Sequence, residues 1–132
     1  MSFRFTGFTP QAEEEREPQL DLAALLVRRP AITFYALMAG DAMSGANIHD
    51  GDLLVIEPAE RYAHGQLVLA FVDGTTLVRR LSNERGQLAL QAANTNYSAI
   101  PLDNDSGWSI RGRVVASITF HRPPTVALPK VS

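Results

Sequence analysis

Gln66-Leu67-Val68-Leu69-Ala70-Phe71-Val72-Asp73-Gly74-Thr75-Thr76-Leu77-Val78-Arg79-Arg80-Leu81 is the stretch that decides the fold class. Two runs rich in Val, Leu, Thr and Phe flank Asp73-Gly74. A two-residue Asp-Gly linker suits the type I′ turn, in which both central residues take positive φ and the turn's twist matches that of the strands it joins. The stretch predicts a β-hairpin with Arg79 on the return strand. Outward from it, β-type runs recur at Ile32 to Leu37, Leu53 to Ile56, Gln87 to Gln91 and Arg113 to Phe120. Turn residues separate them at Asn83 to Gly86, Asn94-Thr95-Asn96 and Asp103 to Gly107. The expected class is mainly β.

One segment departs from that pattern. Leu22, Leu25 and Leu26 have helical spacing, Asp21 can cap them, and Pro30 forces its predecessor out of the helical region, so a short helix of two to three turns should end near Arg28. Before it, residues 1–18 combine Pro10, Glu13-Glu14-Glu15-Arg16-Glu17 and Pro18. So few apolar residues do not offset the entropy of ordering, and a flexible arm is expected. At the other end, residues 122–132 hold Pro123, Pro124 and Pro129, which cannot donate to a ladder. That tail reads as an exposed extension or a segment docking on a partner subunit. Residues 19–121 between them form one β domain.

Composition narrows the function classes. At 132 residues the chain can bury roughly two-thirds of its unfolded surface in a single core. It has no cysteine, which removes disulfides, thiol catalysis and thiolate metal sites together. No apolar run approaches the roughly 18 residues of a membrane span, and Met1-Ser2-Phe3-Arg4 does not begin a signal pattern. A cytoplasmic location without membrane attachment is expected. The net charge of -2 gives no pull toward phosphate, and the arginines are spread as pairs at 28–29, 79–80 and 111/113. They read as solvated faces or ion-pair partners, and direct sequence-specific DNA binding is not expected. His49, His64 and His121 share no zinc-site spacing, and Asp103-Asn104-Asp105-Ser106-Gly107 departs from a calcium loop in its Gly and its missing Glu. No metal or cofactor is implied.

Four words carry more specific information: Leu20-Asp21-Leu22-Ala23-Ala24-Leu25-Leu26, Phe34-Tyr35-Ala36-Leu37-Met38-Ala39-Gly40-Asp41-Ala42-Met43, His49-Asp50-Gly51-Asp52-Leu53-Leu54-Val55 and Thr76-Leu77-Val78-Arg79-Arg80-Leu81. In this order and spacing they resemble the peptidase domain of the LexA/UmuD self-cleaving family, most of all its UmuD branch in processed form, from about Thr6 to His121. The resemblance implies a LexA/UmuD peptidase-type β domain. In that family the nucleophilic Ser lies in a G-D-S-M word and the Lys base in a V-K-[KR]-L strand, positions taken here by Ala42 and Arg79.

A Ser-Lys hydrolase needs a hydroxyl to attack and an amine that can be neutral near pH 7. Ala42 has no heteroatom, and a guanidinium with a pKa of roughly 12.5 or more stays charged. Lys130, the one lysine, lies in the proline-rich tail. Ser44 is two residues away from the nucleophile position, which displaces its oxygen by several ångströms, and errors of about 1 Å already cost on the order of 100-fold. No catalytic residue is expected. Gly40, Asp41, Met43 and Ser44 then outline a vestigial cleft.

The resemblance also assigns a cleavage-like bond. Family members cut before a glycine in the arm, and Thr6-Gly7-Phe8 occupies the matching place with only six residues ahead of the bond, so the chain resembles an already processed form. It implies a homodimer serving a UmuC-type error-prone translesion polymerase in the SOS response, with the RecA filament as a second partner. A rival reading is a pseudo-peptidase regulator that pairs with, or is cleaved by, intact UmuD or LexA relatives. A third is an active enzyme whose Ser and Lys were replaced by an experimenter.

Overall fold

Asp73 and Gly74 take φ of 48° and 86°, the positive pair that a type I′ turn requires, and they close the expected hairpin. The computed structural model describes residues 19–104 and 107–132. In chain order the elements are α1 (Leu22–Leu26), β1 (Phe34–Met38), a 3₁₀ turn (Ser44–Ala46), β2 (Leu53–Glu57), β3 (Leu67–Val72), β4 (Thr75–Glu84), β5 (Gln87–Gln91), β6 (Ile100–Leu102), β7 (Trp108–Ile118) and β8 (Lys130–Val131). The strands form one eight-stranded sheet in the order β6-β5-β4-β3-β7-β2-β1-β8. The mainly β class holds, with one short helix. The expected arm at residues 1–18 lies outside the described residues.

Strand β7 joins the two halves of the sheet. Its first residues, from Trp108, pair with β3, and its later residues, to Ile118, pair with β2; Arg113 stands opposite Val68 on one side and Glu57 on the other. The register shifts once on each side, between Leu69 and Ala70 and between Val55 and Ile56. Such bulges increase local twist and bend the strand. Two cores result. One gathers Ala36, Met38, Met43, Ile48, Leu54, Ile56, Leu69, Val78 and Val131. The other holds Val68, Ala70, Val72, Leu77, Leu81, Leu90 and Leu102. The β3–β4 hairpin contributes to both: Leu69 stands opposite Val78 in the ladder and both enter the first core, while Ala70 and Leu77, the next opposed pair, enter the second.

Three expectations change. Helix α1 is five residues long, capped by Asp21 Oδ1 accepting from the Ala24 N–H, and none of its residues is buried. A helix this short is marginal in water on its own, and with no face buried α1 lacks the packing that would support further turns. Strand β7 begins five residues earlier than its β-branched run, because pairing with β3 extends it through Gly112, where a Cβ would meet Ile56 Cγ2 at 2.5 Å. The proline-rich tail is not simply an exposed extension. Lys130–Val131 pairs in parallel with β1, and Val131 is buried. Proline excludes an interior strand, but β8 stands at the edge, and Pro129 needs only its carbonyl, which accepts from the Leu37 N–H.

Candidate functional site

The loop between β1 and β2 carries Gly40, Asp41, Ala42, Met43 and Ser44, and its two ends are tied together at the neck. The Gly51 N–H donates to the Met38 carbonyl at 2.7 Å, the Met38 N–H to the Asp52 carbonyl at 2.8 Å, and the Gly40 N–H to Asp50 Oδ1 at 2.8 Å. Asp52 is buried and its Oδ2 accepts from the His49 N–H at 2.9 Å. The aspartates around Gly51 therefore shape the turn into β2. Met43 and Ile48 go into the first core, which draws Ala42 inward to 2 % exposure. Ser44 opens the 3₁₀ turn, with its N–H on the Asp41 carbonyl.

A second loop, after β5, clasps the first. The Ala93 N–H donates to the Ala42 carbonyl at 2.9 Å, and the Gly45 N–H donates to the Ala93 carbonyl at 2.8 Å. Gly45 is required by this approach, since a Cβ there would stand 2.6 Å from that carbonyl oxygen. Asn94 Nδ2 donates to the Asp41 carbonyl at 2.9 Å, and the Tyr97 hydroxyl donates to Asp41 Oδ1 at 2.7 Å. A hollow of about 450 Å³, lined by Gln91, Ala92, Ala93, Asn94, Thr95 and Tyr97, opens beside these contacts.

Tyr97 connects this loop to Arg79. The guanidinium carbon lies 5.5 Å from the Tyr97 ring centroid, within cation–π range. Arg79 is 5 % exposed. Its Nη1 donates to the Val78 carbonyl at 2.8 Å and to the Ser132 main-chain oxygen at 2.7 Å, while its Nε is buried with no hydrogen-bond partner. Burial pulls the Arg79 pKa below its ordinary value, with the neighbouring Tyr97 phenol opposing. The hydrogen bond to Asp41 pushes the Tyr97 pKa up, burial and the Asp41 charge add to it, and Arg79 works against them. Even so, a guanidinium does not give up its proton in proteins.

The positions Ala42 and Arg79 thus lie in one network, Ala42 through its neighbour Asp41 and Arg79 through Tyr97. The expectation that the arginine pairs are solvated or ion-paired fits Arg28 and Arg113, both 2.8 Å from Glu57 Oε1. It is corrected for Arg79, which is buried and has no side-chain carboxylate partner among the described residues. Burial in β4 on a ladder flanked by two cores is the cause. Of the histidines, His64 Nδ1 accepts from the Asn83 N–H at 2.9 Å, and His49 and His121 are exposed. Among the described residues no three His, Asp or Glu side chains gather as a metal would need. The cleavage-like bond Thr6–Gly7 lies outside the described residues, as do Asp105 and Ser106.

Sequence reasoning missed Ala93, Asn94, Tyr97 and Ser132. Asn94-Thr95-Asn96 signalled only a loop, and the one clue to more was an aromatic residue, Tyr97, directly after it.

Among the described residues, no helix is long and apolar enough to cross a membrane. A family profile described as Peptidase S24-like matches residues 5–115. Protein SamA of Salmonella typhimurium LT2 is 38 % identical over 94 residues, 71 % of this chain and 66 % of SamA. Protein MucA of Escherichia coli is 30 % identical over 116 residues, 87 % of this chain and 79 % of MucA. The LexA repressor of Shewanella sediminis is 35 % identical over 109 residues, 82 % of this chain but 52 % of the repressor. The chain thus spans about half to four-fifths of the length of these relatives. With the profile running from ahead of α1 into β7, and UmuD-like proteins and LexA among its relatives, this chain belongs to the peptidase S24-like family.

Proposed function

We propose that this chain is a catalytically inactive, UmuD-like accessory subunit of an error-prone translesion DNA polymerase in the SOS response, acting as a homodimer through protein binding. The observation that carries the reading is the pair of side chains at the two dyad positions. Ala42 supplies a buried methyl where a hydroxyl would attack, and Arg79 supplies a guanidinium already bonded to two main-chain oxygens where a neutral amine would take the proton. What remains intact is the scaffold around them: the tied neck of the loop, Gly45 against Ala93, and Asp41 on Tyr97. A family fold kept without its proton chemistry suits recognition. The partners that follow from the family likeness are a UmuC-type polymerase and the RecA filament.

The test takes the purified full chain. Incubated with RecA filaments on single-stranded DNA, it should remain uncut at Thr6–Gly7, and it should bind a UmuC-type polymerase saturably as a dimer. Cleavage of the purified chain would remove the proposal; a folded dimer that ignores the polymerase would replace it with the pseudo-peptidase regulator. The retained Thr6-Gly7-Phe8 word favours that second reading, and cutting there by an intact UmuD or LexA relative in trans would establish it.

A further inference from the structure

Strand β8 is too small to hold itself in place. It has two residues, pairs in parallel, and is joined to β1 by the Leu37 N–H on the Pro129 carbonyl at 2.8 Å and the Ala39 N–H on the Val131 carbonyl at 2.7 Å. Parallel pairing is the weaker kind per residue, and a strand of two residues adds little of it. Val131 supplies one tie by entering the core with Met43 and Val78. Arg79 supplies a stronger one, because its Nη1 bonds Val78 in β4 and Ser132 just beyond β8, and a bond from a charged donor is roughly twice as strong as a neutral one. The Ser132 N–H returns to the Thr76 carbonyl at 3.3 Å, so Ser132 meets β4 through both its N–H and its main-chain oxygen.

We propose that Arg79 is the clasp that fastens β8, so that the position of the family's base has become the point at which the outer edge of β1 is closed. With β8 seated, the Leu37 and Ala39 N–H groups on the outer edge of β1 are engaged; with β8 released, they would be open to another strand. Both bonds leave one nitrogen, Nη1, whose two hydrogens are fixed in the guanidinium plane, and the guanidinium carbon lies 5.5 Å from the Tyr97 ring centroid; an ammonium on a flexible stem does not fix its donors in this way. It rests on the reading of Arg79 as a residue that keeps its proton, but makes no claim about cleavage.

Hydrogen exchange on the intact folded chain tests it. In Arg79→Met, the amides of Leu37, Ala39 and Ser132 should exchange about tenfold faster or more, the loss expected for a hydrogen bond to a charged group, while amides of the β4–β5 ladder keep their protection. Arg79→Lys, which keeps the charge, should accelerate the same three amides and serves if the Met variant does not fold. Unchanged protection at these amides, or equal acceleration throughout the sheet, would overturn the clasp. A chain lacking residues 130–132 supplies the control: there Arg79→Met should add nothing at Leu37 and Ala39, and further acceleration would count against the proposal. Cleavage assays do not read β8, so this inference and the inactive-subunit reading fail separately.

Discussion

Strands β3, β4, β5 and β6 stand in the sheet in the order in which they leave the chain, whereas β1, β2, β7 and β8 are drawn together from its two ends. In the first group the turns do the work: Asp73-Gly74 and Arg85-Gly86 both adopt positive φ, and the next strand pairs with the one before it. In the second group, polar bonds across long stretches of chain hold the parts in register. Tyr97 reaches Asp41, Arg79 reaches Ser132, and Arg113 reaches Glu57. The meander is therefore specified locally and the site half by distant pairs. Of the buried polar groups, Asp52 and Glu57 lie in the site half, while Arg79 and Ser82 lie in β4 of the meander, with Arg79 reaching across to Ser132.

The largest effects should come from emptying the two cores. Leu54 and Leu90 are each fully buried, one in each half, and truncating either to Ala should cost about 2–5 kcal/mol in urea unfolding. Their local consequences should differ. Leu54 shares its core with Met43, so Leu54→Ala should speed exchange at the Ala93 amide, which bonds the Ala42 carbonyl, beyond the change expected from global stability. In Leu90→Ala that amide should follow global stability alone. Equal behaviour of the two variants would erase the distinction between the halves.

The same distinction explains what the sequence reveals. A hairpin needs only alternation and two turn residues, so β3, β4 and β5 are legible from Gln66 to Gln91. Strand β6 is hidden because it is three residues long and contains Pro101, tolerated only because β6 is an edge. Strand β8 is hidden behind Pro129 for the same reason. Ala42 and Arg79 are legible as dyad positions through the surrounding words. Their partners are not, because a hydrogen bond between residues 53 or 56 positions apart leaves no periodicity to read. Nor does composition disclose that one arginine of a pair is buried while Arg80 beside it is exposed and bonded to the Gly65 carbonyl.

Smaller effects should follow from cutting the links between the loops. Gly45→Ala sets a Cβ 2.6 Å from the Ala93 carbonyl oxygen, and the backbone must part, at a cost of about 1–3 kcal/mol. The Ala93 amide should lose protection in this variant while the β3–β4 ladder keeps its own; an intact Ala93 amide would mean that the loops are not coupled through Gly45. Tyr97→Phe removes only the hydroxyl that bonds Asp41 and leaves the ring over Arg79. Tyr97 is 39 % exposed, so water can serve Asp41, and the loss should lie at the low end of about 0.5–1.5 kcal/mol. Tyr97→Leu, which also removes the ring, should cost more, and equality of the two would show that the ring contributes nothing to Arg79.

At neutral pH the smallest change should come from Arg28→Ala, whose side chain is 70 % exposed, yet this variant probes the site half most specifically under acid. The Arg28 hydrogen bond is the largest influence on Glu57, with Arg113 second, and together they hold its pKa down from 4.5 to about 2 despite burial. A carboxylate whose pKa is lower folded than unfolded adds stability above its unfolded value and loses it as pH falls through the folded value. Stability should therefore decline from about pH 4.5 toward 2, and Glu57→Gln should remove that part of the decline. In Arg28→Ala the decline should become shallower without vanishing, because Arg113 still donates through Nε and Nη2 to Glu57 Oε1. Since Glu57 and Arg113 face each other across the β2–β7 ladder, the pair joins the site half to the strand both halves share. An acid profile identical to that of the unmodified chain would assign the whole of that link to Arg113 and leave Arg28 as a surface contact that merely lies close to it.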